Sequence, residues 1–217
     1  MEYINFVLDP NNDYLGHFID YIKLCGVAIA AATIIGVGLG ILVSRSPFLA
    51  FIAINLSGVM RAIPIIAAIF IIFAVVKQLG FLPAIIALIL LGIPPILINT
   101  YTGIRGIDPA AIDAAKGMAM TTWQIATRIQ APLVAAGIRT SAIQIVATAT
   151  LAAFVGAGGF GDYIVDGINV FNNTELIVGA ASVAILALII EIVLSWLQRS
   201  LTPEGLKVQE QEASAKA

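Results

Sequence analysis

The run LCGVAIAAATIIGVGLGILV, residues 24–43, carries no charged side chain from end to end. A helix rises about 1.5 Å per residue and a bilayer core is about 30 Å thick, so one crossing requires about 20 such residues. The run therefore predicts a transmembrane helix. Working outward, four more apolar runs lie between charges, prolines and asparagines, at residues 48–76, 81–99, 133–157 and 176–196. The second is too long for one crossing and is interrupted by Arg61 and Pro64. Either its first half lies along the inner interface before residues 65–76 cross, or the interruption is a built-in break. The expectation is an all-α integral membrane protein with about five transmembrane helices.

Composition agrees and removes other classes. Of 217 residues, 60% are hydrophobic and 11% charged, with a mean hydropathy of +1.01, where soluble domains carry about 25% charged residues. Such a chain cannot clothe a water-facing surface. The formal net charge of -2 supplies no basic footprint, so no nucleic-acid partner is expected. Cys25, the one cysteine, reads as a small buried hydrophobe. His17, the one histidine, precedes the first run and reads as an interfacial side chain, leaving little material for a metal site or a Ser-His-Asp triad. Residues 1–20 hold Glu2, Asp9, Asp13 and Asp20 without Lys or Arg, unlike a secretory signal. With the N-terminus outside, Arg45, Arg105, Lys116, Arg128, Arg139, Arg199 and Lys207 fall on or near the cytoplasmic side, against Lys23 and Lys77 outside. The positive-inside rule thus favours N-out and C-in. The expected divisions are an outer N-terminal segment, 1–21, a membrane domain, 22–197, and a polar cytoplasmic tail, 198–217.

Residues 104–132 are too polar to cross and too many for a plain connector. Asp108 followed by Pro109 has the form of an N-cap and first helical position, starting a helix through Ile112, Ala115 and Met118. Thr121-Thr122-Trp123-Gln124 has the form of a capping box that starts a second, which Pro132 closes off as the fourth run begins. A cytoplasmic helix-turn-helix is expected. Ala110, Ala111, Ala114, Ala115, Gly117 and Ala119 let another backbone approach closely. That surface either enters a groove on a partner or packs on the chain's own inner surface.

Within the runs, Gly36 and Gly40 form a G-x-x-x-G pattern with Gly38 between them, suited to close helix contact with a second chain or inside this one. Thr140, Ser141, Gln144 and Thr148 recur at steps of three and four along one stripe. Such a stripe faces protein or water, as a translocation route or as interhelical hydrogen bonding. Arg61 and Glu191 are charges inside the runs, costly against lipid; Glu191 lies about two turns before Arg199 and within reach of the inner interface.

Asp113-Ala114-Ala115, followed by Ile129 and Pro132, resembles the EAA loop of permease subunits of bacterial ABC importers. The family pattern is Glu-Ala-Ala, three residues, Gly, nine residues, Ile, one residue, Leu-Pro. Here Asp113 stands for the Glu, Ala119 for the Gly and Ala131 for the Leu. Residues 92–104 (GIPPILINTYTGI), Lys116-Gly117-Met118, Gly137-Ile138-Arg139-Thr140 and residues 152–162 (AAFVGAGGFGD) are similar to the osmoprotectant branch, the permeases for glycine betaine, carnitine, choline and related compounds. The likeness covers residues 24–197, approximately.

The resemblance implies a transport subunit, not an enzyme, whose loop helix docks in a cleft of a cytoplasmic ATPase. The coupling residues would be Ala110, Asp113, Ala114, Ala115, Gly117 and Ala119. The chain has no G-x-x-x-x-G-K-S/T loop, so no cofactor is expected on it and ATP belongs to the partner. Arg61, Thr140, Ser141, Gln144 and Thr148 are the candidate translocation-path residues. Five spans can hardly enclose a passage, so a second permease chain, identical or paralogous, is implied, with an extracytoplasmic solute-binding protein, in the bilayer of a bacterial plasma membrane. The aromatic cage that suits a quaternary ammonium is expected on the binding protein, because no aromatic cluster stands out in this sequence. The alternative cargo for the same architecture is an amino acid such as methionine, or a thiol-betaine.

Two competing motifs remain. Gly156-Ala157-Gly158-Gly159-Phe160-Gly161 satisfies G-x-G-x-x-G, yet it follows a membrane run and lacks the strand, turn and helix of a dinucleotide site. Gly159-Phe160-Gly161-Asp162 resembles the G-x-G-D signature of intramembrane aspartyl proteases, the remote enzyme alternative. Those need a second aspartate in a neighbouring span, and none of the five runs holds one. A flexible outward turn is the reading left for this segment.

Overall fold

A computed structural model describes residues 2–201, and every regular element in it is helical. Helix α1 (Glu2–Leu8) and a 3-10 turn (Pro10–Asn12) lead into α2 (Tyr14–Val43). Helix α2 begins well before the apolar run because Asp13 caps it, its carboxylate accepting the Gly16 N–H at 3.3 Å. The long second run is cut into α3 (Pro47–Ala62) and α4 (Ile65–Val76), whose axes meet at 96°. The interruption is a sharp bend, which is the geometry that both readings of that run require. Pro64 offers no N–H and pushes Ile63 into extended backbone, so no helix continues through them.

The remaining elements are α5 (Phe81–Arg105), α6 (Pro109–Gly117), α7 (Thr122–Ile125), a π-helical turn (Ala126–Gln130), α8 (Ala131–Thr148), a 3-10 stretch (Ala149–Val155), α9 (Phe160–Asn169) and α10 (Asn173–Leu201). Four helical stretches are long and apolar enough to cross a bilayer, Pro10–Val43, Phe81–Arg105, Thr122–Val155 and Asn173–Ser200, and the bent pair makes up to five. The fourth crossing is not one α-helix to residue 157, since it tightens to 3-10 geometry after Thr148. Pro132 does not close off the second loop helix. It occupies the first turn of α8, and the π turn before it absorbs the extra residue, so α7 runs on into α8.

Helix α5 is the axis of the bundle, packed between α2 and α8. Lipid gives apolar helices no reason to associate, so association depends on close approach at small residues. A Cβ placed on Gly36 would lie 2.8 Å from Cβ of Ile96, and one on Gly40 2.5 Å from Cβ of Thr100. The G-x-x-x-G pattern is therefore the internal seam between α2 and α5. Gly92 meets Ser141, Ile145 and Ala32 in the same way, and Gly137 meets Asn99. Pro94 and Pro95 interrupt the α5 ladder, and Asn99 Nδ2 donates to the Pro95 carbonyl at 2.8 Å.

The glycine segment after the fourth crossing is not a loose turn. Gly156, Gly158 and Gly159 hold φ of 70°, 81° and 93°, and a Cβ on Gly159 would lie 2.8 Å from the Tyr21 ring. The chain then enters α9, an element that the sequence reading lacks. At this end Gly80 N–H donates to the Val155 carbonyl, closing α5 onto the 3-10 stretch. The opposite end joins the foot of α5 to α2 and α8, with Arg45, Arg105, Lys116 and Arg128 grouped there. Lys23 and Lys77 lie at the other end, so the excess of cations, on which the positive-inside rule rests N-out and C-in, is at the foot of α5. Most of the tail expected at 198–217, with Lys207, lies outside the described residues.

Candidate functional site

The loop between α5 and α8 is built from local signals. Asp108 accepts the Ala110 N–H at 2.9 Å, and Pro109 fills the first turn of α6. At the far end Ala119 N–H donates to Lys116 and Met120 N–H to Ala115, at 2.9 and 3.1 Å, a Schellman closure with Ala119 at φ 58°. This is the position where the family pattern has glycine. The turn is as sharp as glycine would make it, and alanine bears a left-handed cost of about 1–2 kcal/mol there. Thr121 and Gln124 then exchange both capping-box hydrogen bonds, at 3.2 and 2.8 Å, and start α7.

The faces of α6 divide cleanly. Ala115 is 1% exposed and turned into the chain, with Ile112 half-buried beside it. Ala110, Ala111, Asp113, Ala114 and Gly117 are exposed, as is Ala119 in the turn, and a Cβ on Gly117 would meet nothing within 4 Å. Asp113 and Lys116 form an exposed pair at 3.5 Å. Met118, which ends this helix, is 71% exposed, and sequence reasoning missed one flanking side chain, Trp123, 76% exposed. The signal was present: the second residue of a capping-box helix points away from the surface that its apolar Ile125 covers.

The stripe on α8 splits. Ser141 is buried and donates to the Gly92 carbonyl at 2.9 Å, an interhelical bond in the α5–α8 seam. Thr140 is exposed and donates to the Ala136 carbonyl at 3.0 Å, while Gln144 and Thr148 are half-buried, Thr148 donating to the Gln144 carbonyl at 2.7 Å. A step of one residue turns a helix by about 100°, which separates Ser141 from Thr140. Arg61 stands apart at the end of α3, exposed, in the last turn where a cation complements the helix dipole. Glu191 has a partner: Arg139 donates through Nε at 3.0 Å and through Nη2 to its two carboxylate oxygens, and through Nη1 to Gln198 at 3.1 Å. The charge that looked costly on α10 is neutralised from α8.

At the outer end the fold gathers the aromatic residues that the sequence scatters. His17 stacks on Tyr163 at 4.4 Å, and Tyr14, Tyr21 and Phe18 pack around Phe160. These rings pack on one another. His17 is tied into this group, with Nε2 3.7 Å from Asp162. Burial raises the Asp162 carboxyl above the usual range; nearby His17 opposes the shift and Asp166 and Asp20 add to it. Burial likewise pushes the Tyr163 phenol up to about 12.

Residues 32–204 match the family of binding-protein-dependent transport system inner membrane components. The chain belongs to that family. Within it, the chain is 39% identical over 188 residues to the carnitine transport permease protein OpuCB of Listeria monocytogenes, covering 85% of this chain and 83% of that one. It is 39% identical over 191 residues to the glycine betaine/carnitine/choline transport system permease protein OpuCB of Bacillus subtilis, covering 86% and 87%. The osmoprotectant import permease protein OsmW of Salmonella typhimurium is 32% identical over 216 residues, covering 95% and 100%. These relatives place the chain in the osmoprotectant branch of ABC import permeases. In fold it is similar to a chain of the MetNI methionine ABC transporter in an inward-facing form, with a TM-score of 0.70 at 20% identity, covering 85% and 94%. The permease is a multi-pass component of the plasma membrane and a transport subunit rather than an enzyme, and in this family nucleotide is used by a partner ATPase.

Proposed function

We propose that this permease carries a quaternary-ammonium compatible solute, glycine betaine, carnitine or choline, into the cell. Two permease chains would enclose the passage, a cytoplasmic ATPase would hold α6, and an extracytoplasmic binding protein would deliver the solute. The outward face of α6 carries this reading: Ala110, Asp113, Ala114 and Gly117 are exposed and narrow, with open space around Gly117, a shape suited to insertion in a groove. The names of the relatives support the cargo. So does the uncharged character of Thr140, Gln144 and Thr148, which suits a zwitterion of no net charge such as glycine betaine or carnitine.

The test is reconstitution in vesicles with the ATPase and binding protein encoded alongside it. ATP-dependent uptake of labelled glycine betaine, carnitine or choline is expected, with methionine and other amino acids failing to compete. Uptake of an amino acid in place of all three would overturn the cargo assignment.

A further inference from the structure

The foot of α5 is fastened to a part of the chain far from it in sequence. Arg105, its last residue, donates from Nε to the Ser44 carbonyl at 2.6 Å. Ser44 caps the C-terminus of α2, is buried, and turns its own hydroxyl back onto Ile41 at 2.7 Å, leaving its carbonyl facing the guanidinium. Two residues later Ser46 caps α3. The guanidinium therefore sits at the corner between α2 and the bent pair α3–α4, while Asp108 starts the coupling helix three positions beyond it.

The structure above this contact makes it mechanical. Gly36 and Gly40 bring α2 against Ile96 and Thr100 without room for another atom, so the cytoplasmic halves of α2 and α5 move as one strut. Pro94 and Pro95, which cannot donate to the carbonyls one turn back, lie inside that seam level with Gly36, so α2 splints α5 where its own ladder is interrupted. Thr100 Oγ1, buried in the seam, has no hydrogen-bond partner among the described residues, so no polar bond at that level resists a shift of the strut. On its other side Gly103 packs closely on the start of α8: a Cβ placed on it would lie 3.2 Å from the Gln130 carbonyl oxygen and from Cβ of Leu133. The foot of α5 is thus wedged between α8 and the α2–α3 corner, and Arg105 is its polar attachment to that corner.

We infer that Arg105 is a positioning residue for transport: it straps the coupling loop to the α2–α3 corner, so that a stroke applied to α6 reaches the bent pair α3–α4. This rests on the docking role of α6 proposed above. An arginine bonded to a helix-terminal carbonyl also caps that helix and so stabilises it. The experiment must read coupling apart from folding.

The assembled transporter, permease with its ATPase and binding protein, is reconstituted as wild type, R105A, R105Q and R105K. The readout is ATP hydrolysed per solute taken up, using whichever solute the wild type accepts. A strap predicts that this ratio rises about fivefold or more in R105A. R105K, which retains a cationic donor, should recover much of the loss, and R105Q, a weaker neutral donor, less. If R105A assembles poorly, the R105Q and R105K ratios decide. A ratio equal to wild type in the variants, whatever their yield or melting temperature, overturns the inference and leaves a simple helix cap. A failed cargo assignment would show instead as no uptake of the tested betaines by the unmutated complex.

Discussion

Replacing Gly40 by alanine tests the packing on which the bundle depends. The added Cβ would stand 2.5 Å from Thr100 Cβ, 2.7 Å from its Cγ2 and 3.0 Å from the Leu97 carbonyl oxygen. Carbon atoms rest about 3.5–4.0 Å apart, so α2 and α5 must part by about 1 Å or shift along their seam. Thr100 is buried, and the Leu97 oxygen is backbone, so neither can simply swing away. Overpacking of this kind costs about 1–3 kcal/mol. Gly38 lies on the same helix between the two seam glycines, and a Cβ there meets nothing within 4 Å. Both substitutions gain the same helix propensity, about 0.5–1 kcal/mol, so their difference isolates packing. Thermal unfolding of the purified permease should place G40A below G38A by about 2–4 °C for each kcal/mol, with G36A resembling G40A. Equal midpoints for G38A and G40A would refute the seam. So would a G40A chain that unfolds like wild type but no longer associates with a second copy, since the pattern would then be a contact between chains.

Gly117→Trp should leave the melting temperature near wild type, because nothing lies within 4 Å of that position, yet abolish co-purification with the ATPase; retained co-purification would remove Gly117 from the docking face. Ala119→Gly relieves a left-handed alanine and should stabilise the loop by about 1 kcal/mol, read as slower hydrogen exchange at Ala119 and Met120. Arg139→Ala and Glu191→Ala should each destabilise, and the double variant should lose less than their sum, with a coupling of about 0.5–3 kcal/mol in a double-mutant cycle; additive effects would mean that the fork adds nothing. Asp162 binds its proton more tightly folded than unfolded. Its contribution to stability is therefore complete below pH of about 4 and is lost as pH rises through the raised folded value. D162N should accordingly melt like wild type in acid and above it toward neutral pH, and a gap that closes on raising the pH would reverse that sign.

Much of the site was legible because its signals are local. A cap such as Asp108, Thr121 or Gln124 bonds within three residues of itself, so spacing alone identifies it. The apolar runs were legible for a similar reason, since bilayer thickness sets their length whatever they pack against. The start of α2 was placed late because the Asp13 cap precedes polar residues, His17, Asp20 and Lys23, that ride on a helix already formed. Helix α9 escaped notice because it is too short to cross a membrane and follows three glycines. The α8 stripe looked like one surface because spacing of three and four tolerates a wide arc, and only the position of α5 turns Ser141 inward.

From its order of residues alone, this chain determines that it lives in a bilayer and that a capped double helix joins its third and fourth crossings. Lipid thickness and hydrogen bonds between near neighbours act on any such segment before it meets the rest of the molecule. Tertiary structure decided the pairings: Arg139 with Glu191, Arg105 with Ser44, Gly40 with Thr100, and Tyr163 with His17. Each joins residues roughly fifty to one hundred and fifty positions apart, and no local periodicity records which small residue will face which helix.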